Sequence, residues 1–94
     1  MHYTVYQITN KTNGKIYIGV HQTENLNDGY YGSGIVLNYA IRKHGLDSFD
    51  KNILHIFDNP DDMFSKEVEL VDDEFISRQD TYNIHVGGLG GIRS

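Results

Sequence analysis

The feature that most constrains the fold is a hairpin near the amino terminus. Residues 3–9 (YTVYQIT) are rich in aromatic and β-branched side chains, and residues 15–20 (KIYIGV) alternate as a sheet strand would, so both segments predict β-strands. The NKTNG stretch between them ends in Asn-Gly, a dipeptide typical of tight hairpin turns. If the pairing is centred on this turn, the numbers of paired residues sum to about 23 or 24. Tyr6 and Tyr17 then lie directly opposite each other or diagonally adjacent on a small sheet.

The rest of the chain predicts two helices and a third strand. Residues 35–44 carry a helical apolar stripe that Gly45 closes, and residues 51–57 (KNILHIF) read as a strand. A second helix begins in the usual way at Asn59-Pro60, with Asn at the N-cap and Pro at the first position. We therefore expect an α+β domain of order β-β-α-β-α, in which a three-stranded antiparallel sheet is flanked by helices.

The second helix has an apolar stripe with a carboxylate at each edge. The stripe consists of Phe64, Val68, Val71 and Phe75. At about 100° per residue, Glu67 falls at one edge and Asp72 at the other, whereas Glu69 and Asp73 point further towards solvent. Glu67 is therefore the carboxylate best placed to lie against the sheet.

The composition limits the class of protein. The 94 residues suffice for one domain with a small core, and the absence of Cys excludes disulfides and thiolate zinc sites. No segment approaches the ~20 apolar residues of a membrane span, and no secretory leader is evident. We therefore expect a cytoplasmic protein with no membrane partner.

The net charge of −5 argues at first sight against a nucleic-acid partner, but the acidity is local. Residues 58–80 hold nine carboxylates against Lys66 and Arg78, whereas residues 1–57 are close to balance. The glycines near the carboxyl terminus predict that residues 87–94 form a flexible tail or the start of a linker, after a domain of residues 1–86.

Several blocks of the sequence together resemble the GIY-YIG nuclease superfamily. Tyr17-Ile18-Gly19 matches the second tripeptide of the family name, whereas Thr4-Val5-Tyr6 keeps only the tyrosine of the first. The AIRKHG end of the first helix, the acidic helix with its Lys-Glu pair and Tyr82-Asn83 follow in the family's order. With its DGYYGSG loop and YNI-x-x-GG end, the chain is most similar to phage-type GIY-YIG homing endonucleases.

This resemblance implies a Mg²⁺-dependent endonuclease that acts on double-stranded DNA, with Mn²⁺ able to substitute, in a bacterial or phage-infected host cell. Tyr6 and Tyr17 would position or activate the attacking water, Glu67 would bind the metal, and Asn83 would support the site. Such chemistry depends mainly on positioning and on stabilisation of charge, and Mg²⁺ needs only one or two carboxylates. A further DNA-binding domain would follow the glycine-rich tail. Gly19 is interpreted as a point of close backbone approach.

The chain departs from the family in one respect, because many members place a catalytic arginine soon after the YIG tripeptide. Residues 20–41 contain neither Arg nor Lys. Two candidates for a catalytic role remain open. His21 could act as base, acid or phosphate donor, or be an exposed loop residue, and Arg42 could reach the site or only solvent.

Three hypotheses about function follow. The chain is an active endonuclease domain tethered to a DNA-binding region, or a degenerate relative that binds nucleic acid or protein without cutting. The third alternative is a small structural α+β module.

Overall fold

The structure, a computed structural model, describes residues 1–32 and 34–87. It confirms the predicted α+β class and the three-stranded antiparallel sheet. The elements are β1 (His2–Asn10), β2 (Ile16–Thr23), α1 (Ile35–His44), a 3₁₀ turn (Leu46–Ser48), β3 (Phe49–Phe57), α2 (Pro60–Leu70) and α3 (Asp73–Ile76). Among the described residues, no helix is both long and apolar enough to cross a bilayer.

The sheet has helices on both faces. Its order is β2-β1-β3, and the central strand β1 pairs antiparallel with both neighbours. Because side chains alternate along a strand, Tyr6 and Ile8 of β1 point to one face and Val5 points to the other. The first face packs against Leu37 and Ala40 of α1. The second face packs against a cluster from α2 and the residues that follow it, namely Met63, Val71 and Phe75.

The register of the hairpin differs from the predicted one. Tyr6 lies opposite Gly19, and Ile8 lies opposite Tyr17. The reason is the length of the loop: the Asn10 amide donates to the Lys15 carbonyl at 2.8 Å, so the turn comprises residues 11–14 and is centred later than expected. Tyr6 and Tyr17 are nevertheless on the same face as diagonal neighbours, with ring centroids 6.3 Å apart. This confirms the alternative in which Tyr6 and Tyr17 are diagonally adjacent on the sheet.

The predicted second helix is two helices. Asn59 caps α2 as expected, its Oδ1 accepting the Asp62 amide at 2.8 Å, but α2 ends at Leu70. Asp72 then caps α3 by accepting the Phe75 amide at 2.8 Å. An aspartate side chain that accepts a hydrogen bond from a backbone amide further along the chain favours the start of a new helix over continuation of the preceding one. The predicted stripe is wrong at Val68, which is 50% exposed, and Met63 takes its place in the core.

The segment of residues 80–87 covers the outer edge of β2. The Ile16 amide donates to the Asp80 carbonyl at 2.8 Å, and the Tyr82 amide donates to the Ile16 carbonyl at 2.7 Å. Asn83 continues this pairing with its side chain, because its Oδ1 accepts the Ile18 amide at 2.9 Å and its Nδ2 donates to the Ile18 carbonyl at 2.8 Å. The free edge of β2 is thereby covered at Ile16 and Ile18.

The predicted tail lies largely outside the described residues. Gly87, its first residue, still belongs to the packed segment, since its amide donates to the Val71 carbonyl at 2.7 Å. Residues 88–94 lie outside the described part of the chain, so the domain boundary stays a prediction.

We expect Asn83→Ala to lower the free energy of unfolding by about 1–3 kcal/mol, because two backbone groups of Ile18 lose their partner at a buried position. Urea denaturation followed by circular dichroism measures this change. Asn52, exposed on β3, provides the matched control, and Asn52→Ala should stay within about 0.5 kcal/mol of wild type. Equal stability of the two variants would show that water replaces the Asn83 carboxamide.

Candidate active site

Four aromatic side chains form a continuous row on the α1 face of the sheet. We define this aromatic row as Tyr17, Tyr6, Tyr30 and His21. The Tyr6 ring is 6.3 Å from that of Tyr17 and meets the Tyr30 ring edge-on, with centroids 6.0 Å apart. The His21 ring stacks on Tyr30 at 3.7 Å and is nearly parallel to it, with an angle of 6° between the planes. The row thus connects two predicted tyrosines to the predicted histidine through Tyr30, which the sequence analysis did not select.

Glycines make room for the phenols of the row. A Cβ atom on Gly19 would lie 2.6 Å from the Tyr6 hydroxyl and 2.9 Å from Cε2 of Tyr17. Gly32, at φ 106°, would place a Cβ 2.9 Å from the same hydroxyl. Gly19 is therefore a point of close approach, as the sequence predicts, but the group that approaches its backbone is the Tyr6 side chain.

The two hairpin phenols are protonated at neutral pH. Burial, followed by the neighbouring phenols, raises the pKa of Tyr6 well above its usual value, and a hydrogen bond with the Tyr30 side chain adds to this effect. Burial also raises the pKa of Tyr17, to which the charges of Tyr30 and Glu67 contribute. Phenols in this state donate hydrogen bonds and position other groups, but they do not accept a proton.

Glu67 and Tyr17 line one cleft of about 300 Å³. Tyr17 belongs to the α1 face, whereas Glu67 projects from α2 on the opposite face. The cleft therefore lies at the outer edge of β2, where the two faces meet. The Glu67 side chain packs against Gly87 in this cleft. A Cβ atom on Gly87 would lie 2.6 Å from Cγ of Glu67. The structure thus brings Glu67 and Tyr17 together as the sequence analysis expects.

Asn83 also lines this cleft, but its carboxamide is already engaged. Besides its two bonds to Ile18, its Oδ1 accepts the Thr81 hydroxyl at 3.1 Å. The side chain therefore holds β2 in place between Tyr17 and Gly19. A more direct part in the reaction stays a prediction.

The cleft contains one carboxylate that could hold a divalent cation. No group of three or more His, Asp or Glu side chains with metal-binding geometry occurs in the part of the chain that the structure describes. Glu67 alone nevertheless suits Mg²⁺, which keeps several water ligands and shares its shell with substrate phosphates. The donor set fits Mg²⁺ or Mn²⁺ and does not fit a structural zinc ion.

His21 makes a short contact with a carboxylate. Its Nε2 lies 2.7 Å from Oδ2 of Asp28, a residue that the sequence analysis did not single out. The bonds from His21, the Tyr30 amide and the Thr23 hydroxyl hold the pKa of Asp28 well below its usual range. The only signal for Asp28 in the sequence was its place in the DGYYGSG loop, because its proximity to His21 depends on how that loop folds back.

The structure separates the two predicted basic candidates. His21 belongs to the aromatic row. Arg42 is exposed in the last turn of α1, whereas the residues that line the cleft, Gly34, Ile35 and Val36, are at the first turn of that helix. A role for Arg42 in the reaction stays a prediction.

Lys51 of β3 is the basic residue beside the phenols. Its Nζ lies 5.1 Å from the centre of the Tyr6 ring and donates to the Tyr30 carbonyl at 2.6 Å. Partial burial lowers the pKa of this ammonium group. The sequence analysis missed Lys51 because its position depends on pairing opposite Ile8 on the central strand.

Comparison with known proteins identifies the family of the chain. Residues 2–74 match the family model described as the GIY-YIG catalytic domain. The chain therefore belongs to the GIY-YIG family, and the resemblance seen in the sequence is confirmed.

Three relatives come from Enterobacteria phage T4. "Putative endonuclease segC" is 48% identical over 97% of this chain and 46% of its own length, and "Putative endonuclease segB" is 53% identical over 97% and 41%. "Endonuclease segA" is 44% identical over 94% of this chain and 40% of its own length. The chain thus spans less than half the length of each of these relatives. No solved structure gives a significant match.

The raised phenol pKa values predict an alkaline loss of stability. The folded state keeps protons on Tyr6 and Tyr17 that the unfolded chain releases near pH 10, so it binds more protons above that pH. The stabilisation is complete below about pH 10 and falls as the pH rises further. Urea denaturation between about pH 8 and 11 should give a shallower alkaline slope for Tyr6→Phe than for wild type. Tyr39→Phe removes a phenol that is 65% exposed and is the matched control; equal slopes for the two variants would contradict the prediction.

Proposed function

We propose that this chain is the cleaving domain of a metal-dependent endonuclease that hydrolyses phosphodiester bonds of double-stranded DNA. The observation that carries the proposal is the meeting of Tyr17 and Glu67 in one cleft at the end of the aromatic row. Membership of the GIY-YIG family and the names of the T4 relatives support it. We place this activity in the cytoplasm of a bacterial or phage-infected cell.

The residues of the cleft have complementary roles in this mechanism. The protonated Tyr17 phenol donates a hydrogen bond that orients the attacking water or a phosphate oxygen. Glu67 would hold Mg²⁺, which when bound supplies stabilisation of the negative charge that develops on the phosphate. Asn83 keeps β2 fixed, so that Tyr17 faces Glu67 at constant geometry. In the overall reaction, the oxygen of water forms a bond to phosphorus and the bond from phosphorus to the leaving strand breaks.

The affinity for DNA would come from a separate region. Nonspecific affinity rises with the number of phosphates that Lys and Arg neutralise, and residues 1–57 offer only five such side chains. The carboxylates of α2 and α3 add electrostatic repulsion between the chain and the DNA phosphates. The T4 relatives are more than twice as long as this chain, which leaves room for a DNA-binding region after the domain.

Two observations favour a second candidate function. The first family tripeptide is reduced to its tyrosine, and residues 20–41 contain neither Arg nor Lys. A degenerate relative that binds nucleic acid or protein without cutting would tolerate both changes.

We expect Glu67→Gln and Tyr17→Phe each to lower the single-turnover rate of DNA cleavage by at least about 100-fold, because each removes a group that acts on the reacting phosphate. Plasmid nicking in Mg²⁺ by the chain fused to a basic DNA-binding domain measures the rate. DNA affinity of the fusion should not change, since neither residue holds the duplex. Glu69→Gln is the matched control, because Glu69 is exposed on α2, where it pairs with Lys66 at 3.1 Å. Full activity of Glu67→Gln would refute the metal site.

Alone, the chain should bind DNA weakly, in a salt-sensitive manner, and cleave it slowly or not at all. Fusion of a basic DNA-binding domain after Ser94 should restore cleavage by raising the local concentration of substrate. The single-turnover rate at saturating DNA should be about the same for both forms, since the site is unaltered. Efficient cleavage by the isolated chain would contradict the need for a tether. A fusion that binds tightly but does not cut in Mg²⁺ or Mn²⁺ would favour the degenerate relative.

A further inference from the structure

Two elements give the cleft of the candidate active site an apolar lining. The first turn of α1 contributes Ile35 and Val36, and the segment of residues 80–87 contributes Ile84 and Val86. All four side chains are exposed, Ile35 to 83% and Ile84 to 56%. Exposed apolar side chains that gather at one place often mark a surface that a ligand covers.

Most polar side chains of the cleft already have a task. The Asn83 carboxamide is bonded to the backbone of β2, and the Tyr82 hydroxyl accepts a hydrogen bond from a buried carboxamide at 3.0 Å. Under the proposed function, Tyr17 orients the water or a phosphate oxygen, and Glu67 holds the metal ion. His85 is exposed, and of the described residues that line the cleft none is Lys or Arg. The cleft thus offers two groups to a reacting phosphate and mainly alkyl surface beside them.

The sugars next to the scissile phosphate have to lie against this lining. In a DNA strand, one ester oxygen joins phosphorus to C3′ of one deoxyribose, and another joins it to C5′ of the next. A phosphate held between Tyr17 and Glu67 therefore brings both attached sugars to the walls of the cleft. The volume of about 300 Å³ is that of a small-ligand pocket, so the cleft admits the phosphate with parts of its two sugars while the rest of the duplex stays outside.

Deoxyribose and ribose differ in how well they fit such a lining. C2′ of deoxyribose carries only hydrogen atoms and packs well against an alkyl side chain. The 2′-hydroxyl of ribose is both a donor and an acceptor, and against an alkyl group it loses its hydrogen bonds with water. An apolar pocket discriminates against a ligand with one additional hydroxyl by up to about 100-fold.

We propose that Ile35, Val36, Ile84 and Val86 select deoxyribose at the nucleotides that flank the scissile phosphate, and so make the cleft specific for DNA over RNA. The inference rests on the proposed endonuclease function, to which it adds the residues that discriminate the sugar. Because the selection is made in the cleft and not by the region that holds the duplex, a single ribose at the cleavage position is enough to reveal it.

Duplexes that contain a single ribose test the selection. Sequencing of the product ends gives the phosphate that the fused chain cuts in an all-DNA duplex, and one ribose is then placed on either side of it. A ribose on at least one side should lower kcat/KM by about 10- to 100-fold, since this constant compares the transition state with the free chain and free substrate. Equal kcat/KM for the all-DNA duplex and for both ribose duplexes would overturn the proposal.

A 2′-fluoro sugar separates the hydroxyl from the shape of the ring. It favours the ring pucker of ribose but carries no hydrogen-bond donor. At the position where ribose is cut slowly, the 2′-fluoro duplex should be cut nearly as fast as the all-DNA duplex. A loss as large as that caused by ribose would assign the effect to ring pucker and overturn the role of the apolar lining.

Threonine variants assign the selection to the lining. Two double variants, Ile35→Thr with Val36→Thr and Ile84→Thr with Val86→Thr, place hydroxyls where they can pair with the 2′-hydroxyl. In at least one of them, the ratio of kcat/KM for the all-DNA duplex to kcat/KM for the ribose duplex should fall by about 5-fold or more. An unchanged ratio in both double variants would overturn the assignment.

The matched control is the double variant Ile56→Thr with Val68→Thr. Ile56 is 51% exposed, Val68 is exposed to a similar degree, and neither lines the cleft. This variant should keep the wild-type ratio, because its new hydroxyls are away from the scissile phosphate. The same change of ratio in the control as in the variants of the lining would contradict a selection made in the cleft.

The outcomes separate this inference from the proposed function. A fusion that cuts the all-DNA duplex and both ribose duplexes equally well refutes the selection of the sugar and leaves the endonuclease standing. A fusion that binds DNA but cuts none of the duplexes refutes the endonuclease and with it the assignment of the lining.

Discussion

The bonds between the Asn83 carboxamide and both backbone groups of Ile18 are the interaction on which the site depends. β2 is an outer strand of the sheet, and its free edge would otherwise be exposed to water. By covering this edge at Ile16 and Ile18, residues 80–87 fix the part of the strand that carries Tyr17 and also form one wall of the cleft. Because the same segment packs against Glu67 of α2, the edge is where two faces of a small domain meet. A cleft between the α1 and α2 layers can therefore form at this edge of the sheet, without a cavity in the hydrophobic core.

The dense packing of phenols has a chemical consequence. Tyr6 is almost fully buried and lies across the backbone of Gly19, so its ring is closely packed. The same burial keeps the hydroxyls of Tyr6 and Tyr17 protonated, because a phenolate would lose its hydration. Close packing and proton acceptance are therefore opposed at these two phenols.

The sequence predicted what depends on local pattern and missed what depends on distant pairing. The strands, the Asn59 cap and the approximate place of Glu67 follow from periodicity and capping, which are local. The register does not, because a shift of one residue in the turn reverses the face of every side chain. Tyr6 and Tyr17 share a face owing to the four-residue turn that the Asn10–Lys15 pair closes. Lys51 and Asp28 were missed for the same reason, since a neighbouring strand and a folded loop bring them to the row.

The absence of an arginine after the second tripeptide changes how a phosphate would be held. Among residues 1–32 and 34–87, the cation that contacts the phenols is Lys51, which comes from β3 rather than from α1 and is bonded to the Tyr30 carbonyl. An ammonium group is a point charge, whereas a guanidinium group binds phosphate through two parallel bonds and so fixes its orientation. Under the proposed function, the chain itself would therefore orient the phosphate less strongly than a relative with the arginine. A region that presents the DNA strand in a fixed position would therefore contribute more to the rate here than in a relative that keeps the arginine.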